Sequence, residues 1–136
     1  VTVDVRDFSK ACFSAARATG RQVLEVVEAT QPTPNFHLAL LEHRDVTVAV
    51  LANREVPLLA IAPPPAAGQA GPLSFLDVVD LAAALSQIEP FKVLSVAELS
   101  RPLSQITSGE LPPHDPYDIR YWQPATFGDV VFNYWD

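Results

Sequence analysis

Two stretches of this chain hold side chains of the kinds that bind ligands or move protons. The first is His114-Asp115 with Asp118 and Arg120, set among Pro112, Pro113 and Pro116. An imidazole beside carboxylates has the makings of a metal site or a general base, and loops are where such groups usually serve function. No second histidine lies near it, and the same aspartates suit turns ahead of Arg120. His114, Asp115, Asp118 and Arg120 therefore form a candidate ligand loop with no catalytic residue assigned. The second stretch is C-terminal. Tyr117, Tyr121, Trp122, Phe127, Phe132, Tyr134 and Trp135 crowd together there, and both tryptophans of the chain are among them. Exposed Trp and Tyr mark interfaces because they bury much area at small entropic cost. Ile119–Trp122 and Val130–Trp135 read as two strands joined by QPATFGD. Successive strand residues face opposite ways. One of Tyr121 and Trp122, and one of Tyr134 and Trp135, should then serve the core while the other joins a contact patch. These four are the candidate binding residues, with Asp118, Asp129 and Asp136 as an acidic surround.

The remaining reactive side chains give less. His37 and His43 share strand parity but would stand about 20 Å apart, too far to share a metal, and read as separate surface or strand-end residues. Glu25 and Glu28 fall on opposite faces of a strand and make no carboxylate pair. Cys12 is the only cysteine. It excludes an internal disulfide and a cysteine zinc site, and its place on an alanine-rich helix face makes it a small core residue. No phosphate loop, dinucleotide glycine motif or nucleophile elbow is present, and the chain has 5 glycines. The sequence calls for no metal and no cofactor.

The elements that must position these residues begin with a helix over 7–19, with Asp7 as N-cap and Gly20 past its end. Four strands follow, Gln22–Ala29, Phe36–Glu42, Val46–Ala52 and Val56–Ala62, separated by turn-forming stretches. The near-continuous apolarity of 46–52 calls for cover on both faces. Pro57, lacking a ladder donor, places the fourth strand at an edge or a bulge. A Pro/Ala/Gly crossover, 63–72, leads to a helix from Phe75 to Ile88. Ser74 and Asp77 would cap it, Leu73 and Val78 would form a staple, and Pro90 would end it. Beyond lie a strand over 91–96, a short helix over 97–103 stopped near Pro102, and an irregular stretch over 104–118.

At 136 residues and 49% apolar content, the chain suits one ordinary domain spanning 1–136. The charged fraction of 18% is too low for disorder. No run approaches the roughly 20 apolar residues of a membrane span, and the start, VTVDVRDF, has no signal-peptide pattern. The net charge of -7 repels phosphates and anionic lipid and favours basic partners. These features predict a cytoplasmic protein that binds neither nucleic acid nor membrane. The element order predicts an α+β fold, an antiparallel sheet made of the four-strand meander plus the C-terminal strands, with helices packed on one face. Over residues 7–96 this layering resembles small acidic bacterial protein-binding domains, type III secretion chaperones and toxin-immunity proteins among them. The resemblance implies a non-catalytic protein-binding module of immunity, inhibitor or secretion-chaperone kind, with a basic protein or a second copy of the chain as partner. The alternative is a small enzyme or ligand binder that uses the His114–Arg120 loop beside the aromatic tail.

Overall fold

The structure is a computed structural model that describes residues 2–66, 68 and 71–135. Residues 67, 69 and 70 of the proline-rich crossover, and Asp136 of the acidic surround, lie outside the described residues.

Helix α1 spans Val5–Thr19 and starts two residues earlier than expected, because Asp4 is the cap. Its carboxylate accepts from the Arg6 amide at 2.8 Å, which satisfies one of the orphan donors of the first turn. Asp7 sits inside that turn, where a negative charge meets the positive end of the helix dipole. Gly20 closes the helix at φ 71, a left-handed conformation that costs glycine nothing. Strands β1 (Gln22–Val27), β2 (Phe36–His43), β3 (Val46–Asn53) and β4 (Leu58–Ala62) form the expected antiparallel meander. β5 (Lys92–Val93) adds in parallel beyond β4, in the order β1-β2-β3-β4-β5. β4 is thus interior and not an edge. The sheet tolerates Pro57 because β4 begins after it, and its carbonyl accepts from the Lys92 amide at 3.0 Å.

The α+β class holds, but the layering differs from expectation, since both faces of the sheet are covered. Val48, Val50, Ala52, Leu59 and Ile61 look toward α1 and helix α2 (Val79–Ser86), where Phe8, Cys12, Leu81 and Leu85 complete a first core. The alternate residues Ala49, Leu51, Ala60 and Ala62 look the other way, into a second core with Leu99, Phe127, Val131 and Phe132. Period-2 alternation with apolar side chains at every position forces this arrangement. Much of the second layer comes from the stretch read as C-terminal strands and their joining loop. Pro116–Trp122 is helix α4 and Phe127–Val131 is helix α5. The physical reason lies at their starts. Pro116 occupies the first turn of α4 behind the N-cap Asp115, where a missing N–H costs nothing. Thr126 and Asp129 form a reciprocal capping box on α5. Gly128 lets α5 come close, since a Cβ there would stand 2.9 Å from the Phe75 ring and 3.0 Å from the Leu99 carbonyl oxygen.

Phe75 reaches that position because α2 starts at Val79 and not at Phe75. Residues 73–78 run extended across the end of the sheet, with Leu76 bridging Ile61, Leu73 and Phe75 in the second core and Val78 against the first. The Asp77 carboxylate, expected to cap α2, accepts instead from the Val96 amide at 2.9 Å. That contact orients helix α3 (Val96–Leu99), whose own capping box is Ser95 with Glu98. Among the described residues no helix is long and apolar enough to cross a membrane.

Candidate functional site

Three asparagines hold the C-terminal segment in place. The side-chain amides of Asn35 and Asn53 both donate to the Val131 carbonyl, at 3.1 and 2.7 Å. Asn35 and Asn133 exchange backbone and side-chain bonds: the Asn133 amide donates to Asn35 Oδ1 at 2.8 Å, and the Asn35 amide to the Asn133 carbonyl at 3.1 Å. Asn133 Oδ1 then accepts from the Trp135 amide at 3.3 Å. α5 has no sheet neighbour to satisfy its last carbonyls, so side-chain amides do it.

On this mount the aromatic residues form a ladder. Tyr117 stacks on Tyr121 with ring centroids 5.9 Å apart. Tyr121 meets Trp122 edge-on at 5.0 Å, and Trp122 lies parallel to Trp135, 1° between planes, at 6.1 Å. Such offset and edge-to-face contacts are the favourable ones for aromatic quadrupoles. The ladder is open to solvent: Tyr117, Tyr121 and Trp122 are 58%, 64% and 39% exposed. Of the four candidate binding residues, Tyr121, Trp122 and Trp135 therefore come together, and Tyr134 does not. Its ring packs edge-on against Phe36 at 5.5 Å, at the margin of the second core, and burial raises its phenol above the ordinary value of 10.0. The expected division between inward and outward partners is only partial for Tyr134 and Trp135, since both are half-buried. It fails for Tyr121 and Trp122, because both stand on the open side of a helix. Tyr117, now a full member of the ladder, was legible only as part of an aromatic-rich run.

Trp135 also forms a wall between two clefts. The polar one, about 330 Å³, lies between Asn35, the Asn53–Glu55 turn and the His114 loop, and is lined by Arg54, Glu55, His114, Asp115 and Asp118. The apolar one, about 300 Å³, is lined by Pro72, Trp122, Pro124, Phe132 and Tyr134. The candidate ligand loop is thus brought to the aromatic tail, apart from Arg120, which does not line the cleft. Much of its polarity is already committed. Asp115 accepts from the Tyr117 amide at 2.9 Å as the α4 cap, and His114 Nδ1–H donates to the Pro112 carbonyl at 2.9 Å. Arg54 donates to the carbonyls of Gln31 and Pro32. Arg54, Glu55 and the asparagines gave no functional signal in the sequence beyond a turn.

The other reactive side chains are structural. His37 is buried at 4% exposure, stacked on Phe8 at 6.1 Å, and is not the surface residue its parity suggested. Its Nδ1 accepts from the Ala29 amide, which leaves Nε2–H to donate to the Val3 carbonyl. His43 bonds the Gly20 carbonyl at 2.9 Å. Cys12 is fully buried, and that burial pushes its thiol up to about 12, so it is no nucleophile. Among the described residues no group of three or more His, Cys, Asp and Glu side chains could hold a metal ion. Comparison with protein-family models, curated proteins and solved structures finds no match for the chain.

Proposed function

We propose that this is a non-catalytic protein-binding module of bacterial, cytoplasmic type, and that it contacts its partner through the ladder Tyr117–Tyr121–Trp122–Trp135. The observation that carries the reading is a run of stacked rings left open to solvent on a rigid mount. Rigid, exposed aromatics surrounded by polar groups are where binding energy concentrates. The partner is a basic protein. Asp118, Glu55 and Asp115 stand beside Trp135, and an arginine guanidinium can lie on an aromatic face while bonding a carboxylate. The net charge of -7 speeds encounter with such a partner and opposes a second copy at this surface. An immunity-like or chaperone-like role, covering a basic partner until it is released, suits this chemistry.

Tyr121→Ala and Trp122→Ala test the reading. Each should shift unfolding by less than about 0.5–1 kcal/mol, as exposed substitutions do. Each should weaken capture of basic partners from a cell extract, and affinity for the purified partner, by tenfold or more, about 1.4 kcal/mol. Unchanged affinity in both variants would overturn it. The polar cleft supports a second reading, a small-ligand site formed by His114, Asp115 and Asp118. A thermal-shift series with metals and metabolites separates the two, because a ligand that prefers the folded state raises Tm.

A further inference from the structure

Away from the aromatic ladder, the sheet leaves one edge and part of one face without cover. β1 is the outermost strand and pairs only with β2. Among the described residues, no turn or loop hydrogen bond engages the backbone of residues 22–27, whereas β4 at the other side carries β5. Helices α3 and α5 cover the second face over β3 and β4, but Leu38 and Leu40 on β2 are only partly buried and Val27 is 44% exposed. Register puts Val27 opposite Leu38 and Glu25 opposite Leu40, so these four share that face; Glu42 shares it by parity with Leu40 and stands opposite Gln22. A cleft of about 200 Å³ opens at the end of the strip, between Val27, Thr30, Pro34, Phe36 and Leu38. Leu24, the extra residue where the register shifts between Val23 and Glu25, is 47% exposed. Phe13 adds further apolar surface at 53% exposure. It lies on the flank of α1 away from α2, since Ser14 and Ala18 on the other flank share a cleft with Ala83 and Ala84.

We infer that β1 is a strand-addition site whose occupant is an extended protein segment with alternating apolar and basic side chains. An open edge offers unpaired N–H and C=O groups as a template for another strand. Side chains of the added strand that face the Val27 side fall at every second position. The one beside Val27 meets the cleft and should be apolar. The next on that face meets Glu25, and a Lys or Arg there finds a carboxylate that no described residue pairs; the four ion pairs of the structure involve Asp4, Asp80, Glu98 and Glu110. Glu42 extends the same demand. Charge complementarity thus selects the occupant. It also disfavours a second copy, because pairing β1 with its own mate brings Glu25 of each chain to one short antiparallel ladder. The site is independent of the ladder reading.

The test uses a fluorescein-labelled octapeptide, TVTKTVTK, which presents Val and Lys alternately on one face, and its counterpart TVTETVTE. Anisotropy in low-salt buffer should show saturable binding of the Lys peptide. Glu25→Lys, at an exposed position, should weaken it by about tenfold, while Trp122→Ala should leave it unchanged. Amides of residues 22–27 should gain hydrogen-exchange protection when the peptide saturates the protein. Equal binding of the Glu peptide, absence of protection at those amides, or loss of binding in Trp122→Ala and not in Glu25→Lys would overturn the proposal. So would a dimer in sedimentation equilibrium that Glu25→Lys dissociates, since the occupant would then be a second copy.

Discussion

Asn53 shows how much of the tail rests on one side chain. It is 4% exposed, its amide donates to the Val131 carbonyl at 2.7 Å, and its Oδ1 accepts from the amides of Glu55 and Val56 at 2.8 and 3.1 Å. Asn53→Ala takes the acceptor from the Glu55 and Val56 amides and leaves the Val131 carbonyl with Asn35 alone; a buried group left unpaired costs about 1–3 kcal/mol. The variant should lose at least that much in urea denaturation. Trp emission should shift to the red, because the segment bearing Trp135 loses one of its two side-chain anchors at Val131. A loss below about 0.5 kcal/mol would show that water replaces these bonds. In the sequence Asn53 was visible only as part of the turn-forming stretch between the third and fourth strands. Its long-range partner is a backbone carbonyl, which has no sequence signature. Cys12 is the opposite case, since its helical spacing among alanines was enough to place it in the core.

Helices α4 and α5 explain where strand reasoning failed. Val130–Trp135 is rich in β-branched and aromatic residues, and on that composition a strand is the natural reading. Helices of 7 and 5 residues are too short to show a 3.6-residue period, so the only usable signals were at their ends: Asp115-Pro116, and Thr126 with Asp129. The capping chemistry that decided these elements also makes one of them sensitive to acid. In α3 the Ser95 amide donates to Glu98 at 3.0 Å and the Glu98 amide to the Ser95 hydroxyl at 3.1 Å. The bond from the Ser95 backbone holds the Glu98 carboxyl below its ordinary 4.5, and Lys92 adds to the effect. The folded protein therefore binds this proton less readily than the unfolded chain does. The stabilisation is full above about pH 4.5 and disappears as the pH falls through the lower folded value. Urea midpoints measured from neutral pH down to pH 3 should fall more steeply in the parent than in Glu98→Gln, which cannot titrate. Parallel curves would refute the assignment.

At the scale of the molecule, one sheet serves two cores. The apolar alternation of Val46–Ala52 made a two-faced strand legible. What would cover the second face was not legible, because α5 lay in the stretch read as a strand and its joining loop. Leu85 is fully buried in the first core, while both tryptophans line a cleft with Phe132 of the second. Leu85→Ala should cost about 2–5 kcal/mol. If the shared sheet couples the two cores, tryptophan fluorescence and far-ultraviolet dichroism should report the same shifted transition. Separate transitions would mean that the layers unfold independently. The second core also has a consequence in time. Val131 and Asn133 close onto Asn35 and Asn53 across sequence separations of 96, 78 and 98 residues. During synthesis the side of the sheet bearing Ala49, Leu51, Ala60 and Ala62 is complete long before Phe127–Phe132 leave the ribosome. For that interval the nascent chain displays an uncovered apolar plane, the kind of surface on which incomplete chains aggregate or chaperones settle, and premature termination anywhere before Phe127 would make that exposure permanent.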